Sequence, residues 1–190
     1  MFEQKAKEPK LSNDIQDILN RSMGEKSDAN VDDIFRYKYK IMKMLTSNQD
    51  ILHTLHNAEL AGDGENINGD KYRDVCIFDY MKLPDLKSTV KNYVCFEIDD
   101  NTGYNSTVNK RITFRTVSHE SDCKTDWAIS RQDLLAAIIK TEFDWTNAFG
   151  MHFEKTSDTG YVADGGYYYR EICYNVTAPN NIRNKIANKY

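Results

Sequence analysis

The sequence has few of the residues that break or crosslink a chain, and it has no long apolar run. Among 190 residues there are 3 prolines, 9 glycines and 4 cysteines. None of the cysteines forms a Cys-x-x-Cys pair, so we expect reduced thiols and no disulfide framework. No window approaches the ~18 consecutive apolar residues of a membrane helix, and the polar start lacks the apolar centre of a secretory leader. We therefore expect neither a membrane span nor export.

Composition and charge indicate a globular protein that does not wrap nucleic acid. Hydrophobic residues make up 40% and charged residues 28% of the chain, which is neither disordered nor collagen-like. The net charge is -4 and the pI is near 5.6, whereas domains that grip phosphates usually have a pI above ~9. The mass of 22.0 kDa and the low mean hydropathy fit one domain with polar extensions.

The sequence also lacks the short motifs of common enzymes. No phosphate-binding Gly-x-x-x-x-Gly-Lys loop, dinucleotide-binding Gly-x-Gly-x-x-Gly turn or Gly-x-Ser-x-Gly elbow occurs. Cys123 lies near His119 and Asp122, which are the residue types of a nucleophile with its base. The segment is polar and leads to Ser130, so we interpret it as the approach to a helix. Cys76, Cys95 and Cys173 are interpreted as small core or sheet residues.

Two groups of residues have the chemistry of a metal site but not its spacing. His53, His56 and Glu59 could share one helix flank, yet a further ligand would have to come from an unrelated segment, His119 or His152. We interpret the three as solvated flank residues.

A strand-borne acidic group is the second candidate for metal chemistry. Glu97, Asp99 and Asp100, with Asp79 and Asp85, could hold Mg²⁺ for a nuclease. Such sites usually carry a lysine shortly after the acidic residue, and none follows Glu97 at that spacing. We therefore expect no catalytic, metal-binding or cofactor-binding residue and no enzymatic activity. A divalent-metal nuclease remains the leading enzymatic alternative.

The polarity pattern divides the chain into a peripheral arm, one α+β domain and a basic tail, at residues 1–31, 32–178 and 179–190. In the arm, Ile15, Ile18 and Leu19 recur at helical spacing and predict one short helical turn.

Within the domain, periodicity predicts the order helix, three strands, helix, two strands. The ranges are a long helix at 32–57 with a break near Ser47-Asn48, strands at 74–81, 93–99 and 110–119, a helix at 130–143, and strands at 151–155 and 167–177. Loops rather than crossover helices join most strands, so we expect an antiparallel or mixed sheet of about five strands. This sheet and the second helix occupy 72–178, and the two main helices pack on the sheet.

Arginines and tyrosines on the strands and at the end of the chain indicate an interface between subunits. In an acidic protein, such arginines suit bidentate pairing with carboxylates, and tyrosines on both faces of one strand favour a covering partner. The candidate interface residues are Arg111, Arg115, Arg131, Tyr167, Tyr169, Arg183 and Lys185.

One stretch resembles the neck proteins of tailed bacteriophages. A strand, Arg111 to His119, is followed by the run Arg131-Gln132-Asp133-Leu134 that opens a helix, then by Gly150 and two closing strands. Tail-terminator and head-to-tail joining proteins are similar in this order over roughly residues 72–178. The polar lead and the long first helix depart from that pattern.

The resemblance implies a structural, non-enzymatic virion protein that is assembled in the host cytoplasm. It implies a ring of six or twelve copies, neighbouring neck and tail proteins as partners, and a channel through which DNA passes without specific binding. The alternatives are the nuclease or another phage enzyme, and a small monomeric regulatory module.

Overall fold

A computed structural model shows the fold, and it describes residue 13 and residues 33–62, 66–84, 90–101, 107–144 and 153–179. The predicted helical turn of the arm lies outside these residues, as do Arg183, Lys185 and the rest of the basic tail.

The described chain contains four α-helices and five strands. In chain order they are α1 (Asp33–Ser47), α2 (Gln49–Thr54), α3 (Ala58–Ala61), β1 (Ile77–Phe78), β2 (Asn92–Asn101), β3 (Thr107–His119), α4 (Arg131–Phe143), β4 (Phe153–Ala163) and β5 (Tyr167–Pro179). Two 3-10 helices occur at Gly69–Tyr72 and Glu120–Asp122. Among the described residues, no helix is long and apolar enough to cross a membrane.

The strands form one sheet in the order β1-β2-β3-β5-β4. β1 pairs with β2 in parallel, and the other neighbours are antiparallel. The predicted α+β class with a mixed sheet of five strands is therefore confirmed. The register places Phe96 opposite Phe114 and Phe114 opposite Ile172, so their side chains share one face.

The first helical region is divided where the sequence carries its break signal. Asn48 has an extended backbone, and its side chain accepts a hydrogen bond from the Ile51 amide at 3.1 Å, which caps the start of α2. α1 ends at Ser47, and α2 ends at Thr54 rather than continuing to residue 57. The break predicted near Ser47-Asn48 is therefore present as a capped junction between two helices, and the end of the region is corrected from residue 57 to Thr54, with the short α3 following.

The first predicted strand is much shorter than 74–81. Asp74 has a φ of 61°, which strand backbone does not adopt. The amide of Cys76 donates to the carbonyl of Tyr72 at 2.9 Å, so the chain is turning at this point. Only Ile77–Phe78 reaches the sheet.

The helices cover one face of the sheet and form the main core there. Leu135, Ile139 and Phe143 of α4 are completely buried, and the Phe143 ring lies 4.7 Å from that of Phe114. α1 and α2 add a second apolar layer to the same core, including Ile41, Leu45, Ile51 and Leu52. A smaller cluster lies on the opposite face: Phe78, Tyr93, Cys95, Val117 and Tyr167.

Candidate interaction surface

One side of the sheet is covered by the helices. The opposite side is covered only near the smaller cluster, and we call the uncovered part of this opposite side the open face. It is formed by alternate side chains of β2 to β5, and it includes Arg111 and Arg115 of β3, Glu171 of β5 and Tyr161 of β4. Strand alternation alone places these side chains together.

A row of aromatic and charged side chains crosses three strands of the open face. Arg115 donates to Glu171 from Nε at 3.2 Å and from Nη2 at 2.7 Å. Its guanidinium lies 4.9 Å from the ring centre of Tyr169. That ring stacks on Tyr161 at 5.1 Å with an interplanar angle of 25°. We call Arg115, Glu171, Tyr169 and Tyr161 the Arg–Tyr row.

Arg115 stays charged within this row. Partial burial acts to lower the pKa of Arg115, but the hydrogen bond to Glu171 outweighs burial and raises that pKa above its ordinary value. A planar guanidinium held on a ring by a carboxylate has one orientation, which is a geometry that a second protein surface can recognise.

Arg111 lies on the same face and contacts a cysteine. Its Nη2 lies 3.2 Å from the sulfur of Cys173, and the Thr113 hydroxyl lies 3.7 Å from that sulfur. Burial acts to raise the pKa of the Cys173 thiol, but hydrogen bonds from Ser157, Arg111 and Thr113 outweigh it and lower that pKa. Cys173 has no exposed surface, so reagents in solution do not reach it.

The outer strand β4 extends the open face to a sheet edge. Within the described parts of the chain, β4 pairs with β5 only. Tyr161 and Val162 are 45% and 74% exposed. A long edge strand with exposed apolar side chains is a site at which another chain can pair.

Four of the predicted interface residues lie together, Arg131 does not lie with them, and Arg183 and Lys185 are outside the described residues. Arg111, Arg115, Tyr167 and Tyr169 all point to the side of the sheet opposite the helices. Tyr167 is only 2% exposed, since it belongs to the smaller cluster and packs on His119 at 4.8 Å. Tyr167 is therefore buried in the smaller cluster and contributes no surface to the open face.

Arg131, a predicted interface residue, is buried inside the domain and does not belong to an exposed surface. It is 8% exposed, and its guanidinium donates to the carbonyls of Thr54, Asp122 and Lys124. The start of α4 faces the end of α2. Arg131 was predicted to be exposed, and it is instead buried between these two helix ends.

Sequence reasoning missed two members of the Arg–Tyr row. Tyr161 was missed because the fourth strand was predicted to end at residue 155, whereas β4 continues to Ala163. Glu171 lies within the strand predicted at 167–177, but only arginines and tyrosines were selected there as interface candidates. The alternation of Thr159, Tyr161 and Ala163 before the Asp164-Gly165-Gly166 turn was the available signal.

The candidate metal and nucleophile groups have other partners. His56 Nδ1 lies 3.0 Å from Asp122 Oδ1, Glu97 pairs with Lys38 at 3.0 Å, and Cys123 donates to the carbonyl of Glu120. In the described residues, no group of three or more His, Cys, Asp or Glu side chains is arranged to hold a metal ion. The side chains of Asp85, Asp100 and His152 lie outside the described residues.

The fold and the open face define a class of protein: an α+β domain whose sheet has one face covered by helices and the other partly exposed. The chain belongs to the YomW family, whose model matches residues 39–176. That family is named after an open reading frame of the Bacillus phage SPBc2. A search of curated proteins finds no match.

Proposed function

We propose that the protein is a structural subunit of a tailed-phage particle. In this proposal it forms a ring in the neck that joins head and tail, as a tail terminator or head-tail connector. The open face and the β4 edge are the surfaces that neighbouring copies or neck proteins cover. The phage-associated family supports the setting.

The Arg–Tyr row is the observation that carries this proposal. Tyrosine and arginine are enriched where protein surfaces meet, because they combine large contact area with a directed polar group. Here Arg115 is already oriented by Glu171 and stacked on Tyr169, so a partner would not have to order a flexible side chain. Tyr161 on the edge strand enlarges the same surface, while Val162 points to the other side of the sheet.

The two edges of the sheet differ, which suits a ring. One edge is the long strand β4, and the other is β2 flanked by the two-residue β1. A ring needs two different patches on each subunit so that contacts run head to tail and close. The net charge of -4 fits a channel that DNA crosses without tight binding, since each neutralised phosphate would add salt-sensitive affinity.

The test compares assembly of the wild-type chain with two variants. Native mass spectrometry and light scattering measure the stoichiometry, and electron microscopy shows whether rings form, alone or with purified phage neck proteins. Tyr161→Asp should weaken assembly at least tenfold. Trp127→Asp, at a residue that is 74% exposed and outside the open face, is the matched control and should assemble normally.

Detection in purified virions completes the test. Mass spectrometry should find the chain in particles at a copy number that matches the ring. A protein that stays monomeric with and without neck proteins and is absent from virions would overturn the proposal and favour the regulatory module.

A further inference from the structure

We infer that the cleft beside α1 binds a nucleoside monophosphate whose base carries an exocyclic amino group. The base stacks on Phe35 and Tyr39, its amino group donates to Asp79, and its phosphate lies against Lys43 and Arg73, all of which line the cleft. This inference goes beyond the proposed function and does not depend on it.

The cleft lies between α1 and the segment that runs from the 3-10 helix at Gly69–Tyr72 to Asp79, and its volume is about 460 Å³. Both ends of this segment are held against α1. At one end, a Cβ atom on Gly69 would lie 1.8 Å from the carbonyl oxygen of Thr46, so only a glycine lets the 3-10 helix come this close. At the other end, Lys38 donates to the carbonyl of Asp79 at 2.6 Å. The fold itself therefore forms the cleft, and its volume is within the range of small-molecule sites.

Two exposed aromatic rings form part of the α1 wall of the cleft. Phe35 and Tyr39 are 46% and 37% exposed. Side chains four residues apart on a helix are neighbours, so the two rings offer adjacent flat apolar surfaces. Every nucleobase has a flat face that stacks on such a ring.

The charged groups of the cleft narrow the class of ligand. Lys43 continues the row of the two rings at a further step of four residues, and Arg73 lines the opposite wall together with Asp70 and Asp79. A purely cationic ligand would meet the two cations, and a purely anionic ligand would meet the two carboxylates. An aromatic ligand with an anionic group and a separate hydrogen-bond donor satisfies both kinds of charge.

The order of the charges along α1 orients this ligand. Asp79 is bonded to Lys38, which lies between the two ring positions in the chain, so Asp79 can accept from the amino group of a stacked adenine, guanine or cytosine. Lys43 lies one turn beyond the rings, towards the end of α1 that the 3-10 helix contacts, and there Arg73 can join it on a phosphate. Asp70 offsets one of these two cations, which favours one phosphate over three.

Calorimetric titration of the full chain tests the ligand class. AMP, GMP and CMP should bind at least fivefold more tightly than UMP, which has no amino group, and than ribose 5-phosphate, which has no base. ATP should bind more weakly than AMP, since the carboxylates of the cleft repel the added charge. No saturable binding of AMP, GMP or CMP at millimolar concentration, or equal affinity for ribose 5-phosphate, would overturn the inference.

Two variants and two controls locate the site. Tyr39→Ala and Lys43→Gln should each weaken binding of AMP at least fivefold, because the first removes a stacking ring and the second a phosphate contact. Trp127→Ala and Lys124→Gln, at exposed residues outside the cleft, should bind AMP as the wild type does. Tyr39 and Lys43 are exposed, so the fold should tolerate both changes, and circular dichroism checks that it does. Unchanged affinity in both variants would place the binding elsewhere and overturn the inference.

A third variant tests the role of the carboxylate. Asp79→Ala should reduce the preference for AMP over UMP to less than twofold and leave the affinity for UMP unchanged, which is a change of specificity that misfolding would not produce. A retained preference would overturn the assigned orientation. A single-stranded oligonucleotide that binds more than tenfold more tightly than AMP would make a strand the ligand and overturn the assignment of a free nucleotide. None of these measurements depends on assembly, so this inference and the proposed ring fail separately.

Discussion

A buried arginine holds three parts of the chain together. Arg131, the first residue of α4, donates to the carbonyl of Asp122 from Nε at 2.7 Å and to that of Thr54 from Nη1 at 3.1 Å. Its Nη2 also lies 3.2 Å from a carboxylate oxygen of Asp122. The end of α2, the 3-10 helix and the start of α4 therefore meet at one side chain.

Replacing Arg131 should destabilise the protein strongly. We expect Arg131→Met to lower the free energy of unfolding by about 3 to 5 kcal/mol, because the carbonyls of Thr54, Asp122 and Lys124 and the carboxylate of Asp122 each lose a hydrogen-bond donor. Urea denaturation measures the change. Arg73→Met, at a side chain that is 57% exposed, is the control and should cost less than about 0.5 kcal/mol. Equal effects of the two substitutions would contradict the structural role of Arg131.

Asp158 links the edge strand β4 to α4 and β5. It accepts hydrogen bonds from Lys140 at 2.8 Å and from Arg170 at 2.5 Å. Partial burial acts to raise the pKa of Asp158, but the hydrogen bonds from Arg170 and Lys140 outweigh burial and hold that pKa below its usual value of 3.8.

The lowered pKa of Asp158 predicts an acid-dependent loss of stability. Since the folded state favours the carboxylate, this contribution is present above the unfolded pKa and is lost as the pH falls through the lower folded pKa. The free energy of unfolding of the wild type should therefore approach that of Asp158→Asn as the pH falls below about 4, the ordinary pKa of an aspartate. Stability curves measured by denaturant titration that stay parallel over this range would contradict the prediction.

At the residue scale, sequence reasoning succeeded where local alternation decides and failed where tertiary partners decide. The alternation in β3 placed Arg111 and Arg115 on one face, as observed. Arg131 follows a signal for the start of a helix, and this signal does not indicate which residues the start of α4 contacts in the folded protein. Its partner Thr54 is 77 residues away in the chain, so its burial could not be read from its neighbours.

At the scale of elements, α4 is the helix that joins the sheet to the other helices. It packs on β3 and β5 and also on α2. Its buried positions Leu135, Ile139 and Phe143 follow the helical repeat. Ser130 precedes α4, and its side chain bonds to Asp133 and makes no bond to a backbone amide.

Truncating the buried stripe of α4 should leave a cavity. We expect Leu135→Ala to lower the free energy of unfolding by about 2 to 5 kcal/mol, because Leu135 has no exposed surface. Leu134→Ala on the same helix is the matched control, since Leu134 is only half-buried, and should cost clearly less. A change below roughly 0.5 kcal/mol for Leu135→Ala, measured by chemical denaturation, would show that the helix does not pack as described.

The strands show why the sheet was easier to predict at its centre than at its edges. β2 and β3 alternate clearly because one face is buried along their length, and their predicted ranges differ from the observed ones by a few residues. β4 is mostly exposed and has a bulge between Lys155 and Ser157, so its hydrophobic pattern is weak. β1 is set by a turn with a positive φ at Asp74, for which an aspartate gives only a faint signal.

At the scale of the whole molecule, the main core lies on one side of the sheet and the exposed open face lies on the other. The helices and one sheet face form the main core, while the open face presents oriented polar and aromatic groups. The element order and class followed from periodicity. The composition of the open face did not, because it joins residues from β3, β4 and β5 that are distant in the chain, such as Arg115 and Glu171, which are 56 positions apart.

The acidic residues of β2 are the remaining place where enzymatic chemistry was considered. Glu97 forms an ion pair with Lys38 of α1 at 3.0 Å, and Lys38 also donates to the carbonyl of Asp79 at 2.6 Å. Asp99 lies opposite Arg111 in the sheet register. A divalent cation at Glu97 would have to displace Lys38, which is itself held by a second bond.

The intact protein should therefore show no metal-dependent turnover. With Mg²⁺, Mn²⁺ or Zn²⁺ added, we expect cleavage of DNA, RNA and simple phosphate esters to stay at the rate measured without protein, because each acidic side chain of β2 that the structure describes faces a cation. Gel and fluorescence assays of the purified chain check this. Glu97→Gln and the exposed Glu154→Gln on β4 form a matched pair: both should behave as the wild type. A reproducible metal-dependent activity that disappears in Glu97→Gln and survives in Glu154→Gln would identify an enzyme and overturn the structural role proposed for this subunit.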